Sequence, residues 1–488
     1  MKSFADDWLL SELRGHAFDD FLDPPGWGIA KSRKGLNLGT KFSEHVDLNI
    51  PLVSANMDTV TGARMAIAQA KEGGIGIIQR YLSIEDQCQK VREVKREENF
   101  IIQKPYSVQP ASAIREAERI MTKNNIGSLV VLNEDGVLEG ILTSRDIRFC
   151  SDKDMLVSQR MNGRGALITA PMDTKLGEAR KILDKNRLEK LPLVDERGHL
   201  VGLITSKDIE NLEKYPLANK DRNGQLVVGA AIGATGDYLE RASELISAGA
   251  DVIVIDIANA QSDIGLDAAR AFRKIFSDAE LVVGNIAIGM AVSRYRDLNV
   301  NGFKVGLGPG SACTTRYHTN IGVTQAYAIY DCGRVSEVPV IADGGIRRNG
   351  HIFLSLMLGG SSVMIGGLFG GTDEAPGHVI RNSKGNRIKK FRGMASREAM
   401  LEKLVSELAD DPYETSSRVS PEGIEKELEY KGSVVPIIHD MMNHLASSIS
   451  YMGAKSLREA QKMFMADPQK YLTKISRAAQ IESWHRDV

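Results

Sequence analysis

The residues best equipped for chemistry stand together in Gly306-Leu-Gly-Pro-Gly-Ser-Ala-Cys313-Thr-Thr-Arg316. Glycine permits backbone shapes that other residues resist, so such a loop can wrap an anion with its amides or a cation with its carbonyls. A cysteine delivered by that loop is either a small buried hydrophobe or a displayed nucleophile, and only the thiolate form attacks. Other reactive groups follow short apolar runs. They are Asn56-Met57-Asp58-Thr59, Arg80, Asp256 with Asn259, Asn285, Asp343-Gly344-Gly345 and Gly366-Gly367. Taken singly, an Asp or Asn at such a place caps a helix or satisfies a turn. Together they describe one polar mouth.

The elements that must position these groups are eight short, β-branched runs at residues 50–55, 74–79, 226–231, 252–256, 281–285, 302–305, 338–342 and 362–365. Helical patterns such as 63–72, 237–248 and 350–358 alternate with them. Apolar strands each covered by a helix predict an α/β fold, a (β/α)8 TIM barrel rather than an open sheet. In that fold the active site is built where the strands end. Loops after the seventh and eighth strands favour phosphate, which makes Gly344, Gly345, Gly366, Gly367 and Ser311 the expected phosphate cradle.

Composition narrows the setting. At 488 residues the chain exceeds what one core supports. A net charge of −1 argues against nucleic acid or an anionic membrane as partner. No apolar run reaches the roughly 18 residues of a bilayer span, and Asp6 and Asp7 interrupt any signal-like start, so a soluble, cytoplasmic protein is expected. Cys88, Cys150, Cys313 and Cys332 form no Cys-x-x-Cys pair and suggest neither disulfides nor zinc.

The strand rhythm breaks once, and a repeat fills the gap. Gly136-Val-Leu-Glu-Gly-Ile-Leu-Thr143-Ser-Arg-Asp146-Ile answers Gly198-His-Leu-Val-Gly-Leu-Ile-Thr205-Ser-Lys-Asp208-Ile. Two such units resemble a tandem CBS pair, a Bateman module. The resemblance implies a regulatory site for purine nucleotides (ATP, GTP or GMP), with Thr143, Asp146, Thr205 and Asp208 meeting ribose or phosphate. A module that packs without any nucleotide is the alternative, since a repeat buries a shared core either way. The expected domains are residues 1–99 and 217–488, the two parts of the catalytic barrel, and 100–216, the inserted pair. A strongly charged stretch at about 386–432 reads as a solvated linker or a mobile flap.

Ser54-Ala-Asn-Met-Asp-Thr-Val60, the Cys313 loop, Ala342-Asp-Gly-Gly345, Arg392-Gly-Met394 and Pro421-Glu-Gly423 occur in order and together resemble the IMP dehydrogenase / GMP reductase family over almost the whole chain. The resemblance implies that Cys313 attacks C2 of a purine nucleotide and forms a covalent intermediate, with the loop amides and Arg316 favouring its thiolate. It further implies that Asp343 holds the ribose. Asn56, Met57, Asn285 and Met394 would position the purine and nicotinamide, and Asp256, Ala258 and Asn259 the cofactor. The carbonyls of Gly308, Gly310 and Cys313 would hold potassium, as hard oxygen ligands can. Family barrels form homotetramers, and CBS pairs can join them into octamers.

Within that family a dehydrogenase hydrolyses its adduct with an arginine-tyrosine pair on a flap, whereas a reductase uses a threonine-glutamate pair. Between Met394 and Pro421 the only arginines are Arg397 and Arg418, the only tyrosine is Tyr413, and no Arg-Tyr dipeptide occurs. Thr315 and Glu422 are both present. A carboxylate bonded to a threonine hydroxyl can relay a proton to a leaving amine. Asn56, and Arg80 at a basic position that reductases place near the departing ammonia, also fit the reductase pattern. The reading is therefore NADPH-dependent reduction of GMP to IMP. An IMP dehydrogenase with an atypical flap and a weakly active nucleotide-sensing homologue are the alternatives. Phe391 stands where dehydrogenases often have a phosphate-binding tyrosine, and Ala260 follows Asn259 where glycine is usual.

Overall fold

The computed structural model describes residues 3–28, 32–97, 105–124, 126–206, 209–210, 214–406 and 420–484. The chain divides into two compact units: residues 1–97, 217–221 and 226–488 form the first, and 98–216 with 222–225 the second.

In the first unit the β-branched runs form strands β1 (Leu52–Ser54), β2 (Ile75–Ile78), β3 (Val228–Ile232), β4 (Val252–Asp256), β5 (Leu281–Ile286), β6 (Gly302–Val305), β7 (Val340–Asp343) and β8 (Ser362–Ile365). Every neighbouring pair is parallel, and β8 pairs with β1 while β2 pairs with β3, which closes an eight-stranded barrel. The expected TIM barrel is thus observed. The seventh strand begins two residues later than expected because Pro339 lacks the N–H that a ladder needs, and Asp343 becomes its last residue. Inside, Val53, Ile75, Ile77, Ala231, Val254, Val282, Ile341 and Met364 pack with Phe42. Phe42 belongs to a hairpin, Thr40–Ser43 with Val46–Leu48, which contacts β6, β7 and β8. Such packing removes water from the barrel centre and leaves one mouth for polar groups.

Amphipathic helices cover the outside. Asp263–Ile275 starts at Ser262, whose Oγ accepts from Gly265 N–H at 3.3 Å, and it buries Leu266, Ala269 and Phe272. Two C-terminal helices, Val435–Met452 and Leu457–Ala466, pack on Asn349–Met357. The charged stretch expected as a flap is partly a sheet. Ile380–Arg381, Arg387–Arg392 and Glu425–Glu429 form three antiparallel strands, because Ile388 and Phe391 find burial there. Residues 407–419 lie outside the described residues.

In the second unit the repeat is reproduced in three dimensions. Ser128–Leu132 pairs antiparallel with Leu138–Thr143, and Lys190–Val194 with Leu200–Thr205, each pair with a register shift near its end. Val137 bridges His199, and Val130, Leu138, Ile141 and Leu203 share a core between the copies.

Candidate active site

The polar strand ends of the barrel meet in a cleft of about 920 Å³. Cys313 is partly exposed within it, whereas Cys88, Cys150 and Cys332 are buried. Burial next to Asp331 drives the Cys332 thiol far above its ordinary value, which makes it inert.

Cys313 is positioned by backbone pairing across the chain. Thr314 N–H donates to Glu422 O at 2.8 Å and Ile424 N–H to Ala312 O at 2.9 Å, so the cysteine loop and residues 422–424 form a two-sided bridge. A Cβ on Gly423 would lie 3.2 Å from Ala312 O and 3.0 Å from Ser396 N, tighter than an ordinary contact, so a side chain there would push the two backbones apart by a few tenths of an ångström. That approach sets Glu422 against Thr315. The Thr315 hydroxyl donates to Glu422 Oε2 at 2.6 Å and lies 3.2 Å from Cys313 Sγ. Because the hydroxyl has one proton and gives it to Glu422, its oxygen is left to accept from the thiol. The three groups form a relay from sulfur to carboxylate. Arg316 braces the loop instead of pointing its Nε at the sulfur: Nε donates to Leu307 O at 2.7 Å.

The opposite wall is built on β4, β5, β6 and β7. Lys304 Nζ lies 2.8 Å from Asp256 Oδ1 and 2.6 Å from Asp343 Oδ2, and it donates to Asn285 Oδ1. Asn285 Nδ2 donates to Asp343 Oδ2 at 2.9 Å and to Gly306 O at 2.6 Å. Burial opposes the charge on Asp256, but Lys304, Arg80 and a hydrogen bond from Asn56 outweigh it and hold the carboxyl below the usual range. Burial likewise opposes the ammonium of Lys304, and the two carboxylates more than reverse this.

At the far end lies the glycine cradle. Gly344 and Gly345 have φ of +85° and +81°, which a side chain would strain. A Cβ on Gly367 would lie 3.2 Å from Ser311 Oγ, and the buried Phe391 ring packs below Gly366 and Gly367. His351 bonds Asp19 Oδ1 at 2.7 Å and lies 3.3 Å from Gly345 O, which ties this turn to the N-terminal segment. Arg347, Lys426 and Lys431 line the same cleft, so its lining there is cationic. Backbone amides, a serine hydroxyl and cations are the donor set that a phosphate requires.

Asn56, Met57, Arg80, Asp256, Ala258, Asn285, Gly308, Gly310, Ser311, Cys313, Thr315, Asp343, Gly344, Gly345, Gly366, Gly367, Met394 and Glu422 all line this cleft. Asn259 is not among its lining: it is exposed, and its Oδ1 accepts from Gln261 N–H at 3.0 Å. Sequence reasoning passed over Lys304, Lys426, Lys431 and Arg347. The signal for Lys304 was available, since a lysine in the buried run Gly302–Val305 demands partners. In the second unit Asp146 Oδ2 accepts from both the N–H and the hydroxyl of Thr143, each at 2.7 Å. Thr205 ends the matching strand, and Asp208 lies outside the described residues. Among the described residues no helix is long and apolar enough to cross a membrane.

A parallel barrel with a thiol, a proton relay and a phosphate-type cradle at one mouth is the framework of a barrel enzyme acting on a nucleotide-like substrate. Comparison with known proteins makes this specific. The family model for the IMP dehydrogenase / GMP reductase domain matches residues 15–485. An inosine-5'-monophosphate dehydrogenase of Nitrosopumilus maritimus is 40% identical over 478 residues, covering 97% of this chain and 98% of its own. One from Halalkalibacterium halodurans is 42% identical over 459 residues, 92% of each chain. Among solved structures, a GMP reductase variant from Trypanosoma brucei in complex with guanosine 5'-monophosphate superposes with a TM-score of 0.87 at 36% identity, covering 97% and 98% of the two chains. The chain belongs to the IMP dehydrogenase / GMP reductase family, whose members are oxidoreductases that use a nicotinamide cofactor.

Proposed function

We propose that the protein is a GMP reductase that converts GMP to IMP and ammonia at the expense of NADPH. The observation that carries this reading is the chain from Cys313 Sγ through Thr315 Oγ1 to Glu422 Oε2. In the proposed sequence the thiol proton passes to Thr315 and Glu422 as sulfur bonds to C2 of GMP. The same pair then returns a proton to the 2-amino group, which leaves as ammonia with its bonding electrons. What remains is a thioimidate on Cys313. NADPH supplies a hydride to C2, and the C–S bond breaks to release IMP and the thiolate. Arg80, whose charge acts on Asp256, serves the departing ammonia from the facing wall.

The remaining residues bind. Ser311 and the paired glycines 344–345 and 366–367 hold the phosphate, and Asp343 the ribose. Asn56, Met57, Asn285 and Met394 frame the purine, and Asp256, Ala258 and Asn259 the cofactor side. The open cleft and the ionised Asp256 suit a dinucleotide with ribose hydroxyls to donate. Gly308, Gly310 and Cys313 occupy one turn whose carbonyls suit a potassium ion, although Gly310 O already accepts Cys313 N–H at 3.0 Å. The second unit is a CBS pair that binds purine nucleotides through Thr143, Asp146, Thr205 and Asp208, and the protein assembles as a homotetramer or, through those units, an octamer.

The names of the curated relatives favour a second reading, an IMP dehydrogenase that oxidises IMP with NAD. Against it stands the lack of an Arg-Tyr pair between Met394 and Pro421. Paired assays separate the two. Consumption of NADPH with GMP, and no reduction of NAD with IMP, is the expected result. Reduction of NAD with IMP alone would select the dehydrogenase.

A further inference from the structure

Asp256, Lys304 and Asp343 are the only charged residues in the eight barrel strands, and all three meet at one point. Lys304 is 3% exposed. An ammonium has three donors, and three acceptors surround this one: Asp256 Oδ1, Asp343 Oδ2 and Asn285 Oδ1. No donor remains for a ligand. Asn285 closes the figure by donating to the same oxygen of Asp343. Each carboxylate therefore has one oxygen fixed on Lys304.

We propose that Lys304 is a positioning residue that ties the nucleotide-side carboxylate Asp343 and the cofactor-side carboxylate Asp256 into one unit, so that the affinities for nucleotide and cofactor rise and fall together. The inference rests on the ligand roles proposed above for these two carboxylates. Its physical basis is that two like charges facing each other in a buried site repel strongly unless a cation stands between them. Without Lys304, one carboxylate must take up a proton or swing into the cleft, and either change spoils the subsite that it serves. A lysine that only stabilised the barrel would behave differently: its loss would lower the yield of folded protein and leave the KM values of the folded fraction alone.

The experiment compares native protein with Lys304→Met and Lys304→Arg, measuring KM for GMP and NADPH, kcat, and GMP and IMP binding by calorimetry. Lys304→Met is expected to raise both KM values about tenfold or more, with a smaller fall in kcat, since truncating one member of a buried charge pair weakens binding by that order. Lys304→Arg, which keeps the cation, is expected to recover most of both losses. A rise in only one KM, or a fall in kcat with both KM values unchanged, overturns the inference. Should Lys304→Met fail to fold, Asp256→Asn decides: a GMP KM shifted at least about threefold by a change on the cofactor side supports the coupling, and an unchanged value refutes it. Native protein that binds neither GMP nor IMP refutes the purine-nucleotide reading itself. Native binding that Lys304→Met leaves intact refutes only the coupling.

Discussion

The cleft of the barrel and the repeat of the second unit both carry threonine-carboxylate pairs, and the two pairs are made differently. In the barrel, Thr315 meets Glu422 across 107 residues of chain, held by a backbone bridge. In the repeat, Thr143 meets Asp146 only three residues on, at the first turn of a helix. A local pair of that kind forms wherever a helix begins and serves stability first. A pair assembled from distant segments, beside a partly exposed thiol, has no such everyday use. Distance along the chain is therefore the better guide to chemistry than residue type.

Substitutions can break this contrast, and the largest effect falls at the sulfur. Cys313→Ala should lower turnover with GMP by about 10⁴-fold or more, as loss of a covalent nucleophile does; steady-state cofactor absorbance measures it, and retained turnover would exclude covalent catalysis. Glu422→Gln should cost about 10² to 10³ in kcat, the usual weight of a general acid, with the KM for GMP within about threefold of native. An equal loss in binding would mean that the pair only shapes the loop.

A third carboxyl sharpens the point about partners. Asp23 has a buried Oδ1 with no hydrogen-bond partner, and burial pushes its pKa up to about 7. The folded protein thus holds this proton up to about pH 7, whereas the unfolded chain releases it near 3.8. Stability from this group is complete below the unfolded value and is lost as pH rises through 7. Asp23→Asn should stabilise the protein at pH 8 by about 1–3 kcal/mol, with no gain near pH 4, as read from thermal melts at the two pH values. The smallest effect belongs to the local pair. Asp146→Ala should cost about 1 kcal/mol, seen as faster hydrogen exchange over residues 138–147 in the full-length protein.

Legibility in the sequence follows the same division. Strands and repeat copies are local patterns, and the eight runs and both Thr-ending strands were readable from β-branched spacing. The cysteine loop announced itself through its glycines. Partnerships over long separations were not readable: the tie between Asp19 and His351 spans 332 residues, and the contact at Lys304 required strands β4, β5, β6 and β7 to be assembled in order around the barrel. Only the family resemblance linked Thr315 to Glu422. At Asn259 a local turn was equally unreadable: its side-chain oxygen accepts from Gln261 N–H, and the residue is exposed just beyond the strand end. Phe391, which lacks the hydroxyl of a tyrosine, uses its ring as the buried floor of the glycine cradle.

The central claim is that the Cys313–Thr315–Glu422 relay serves the departure of ammonia. Its most direct test is the stoichiometry of ammonia released to NADPH consumed when the protein turns over GMP. The relay predicts one ammonia for each NADPH, with both signals lost together in Glu422→Gln. Cofactor reduction from IMP, with no ammonia released from GMP, would contradict it.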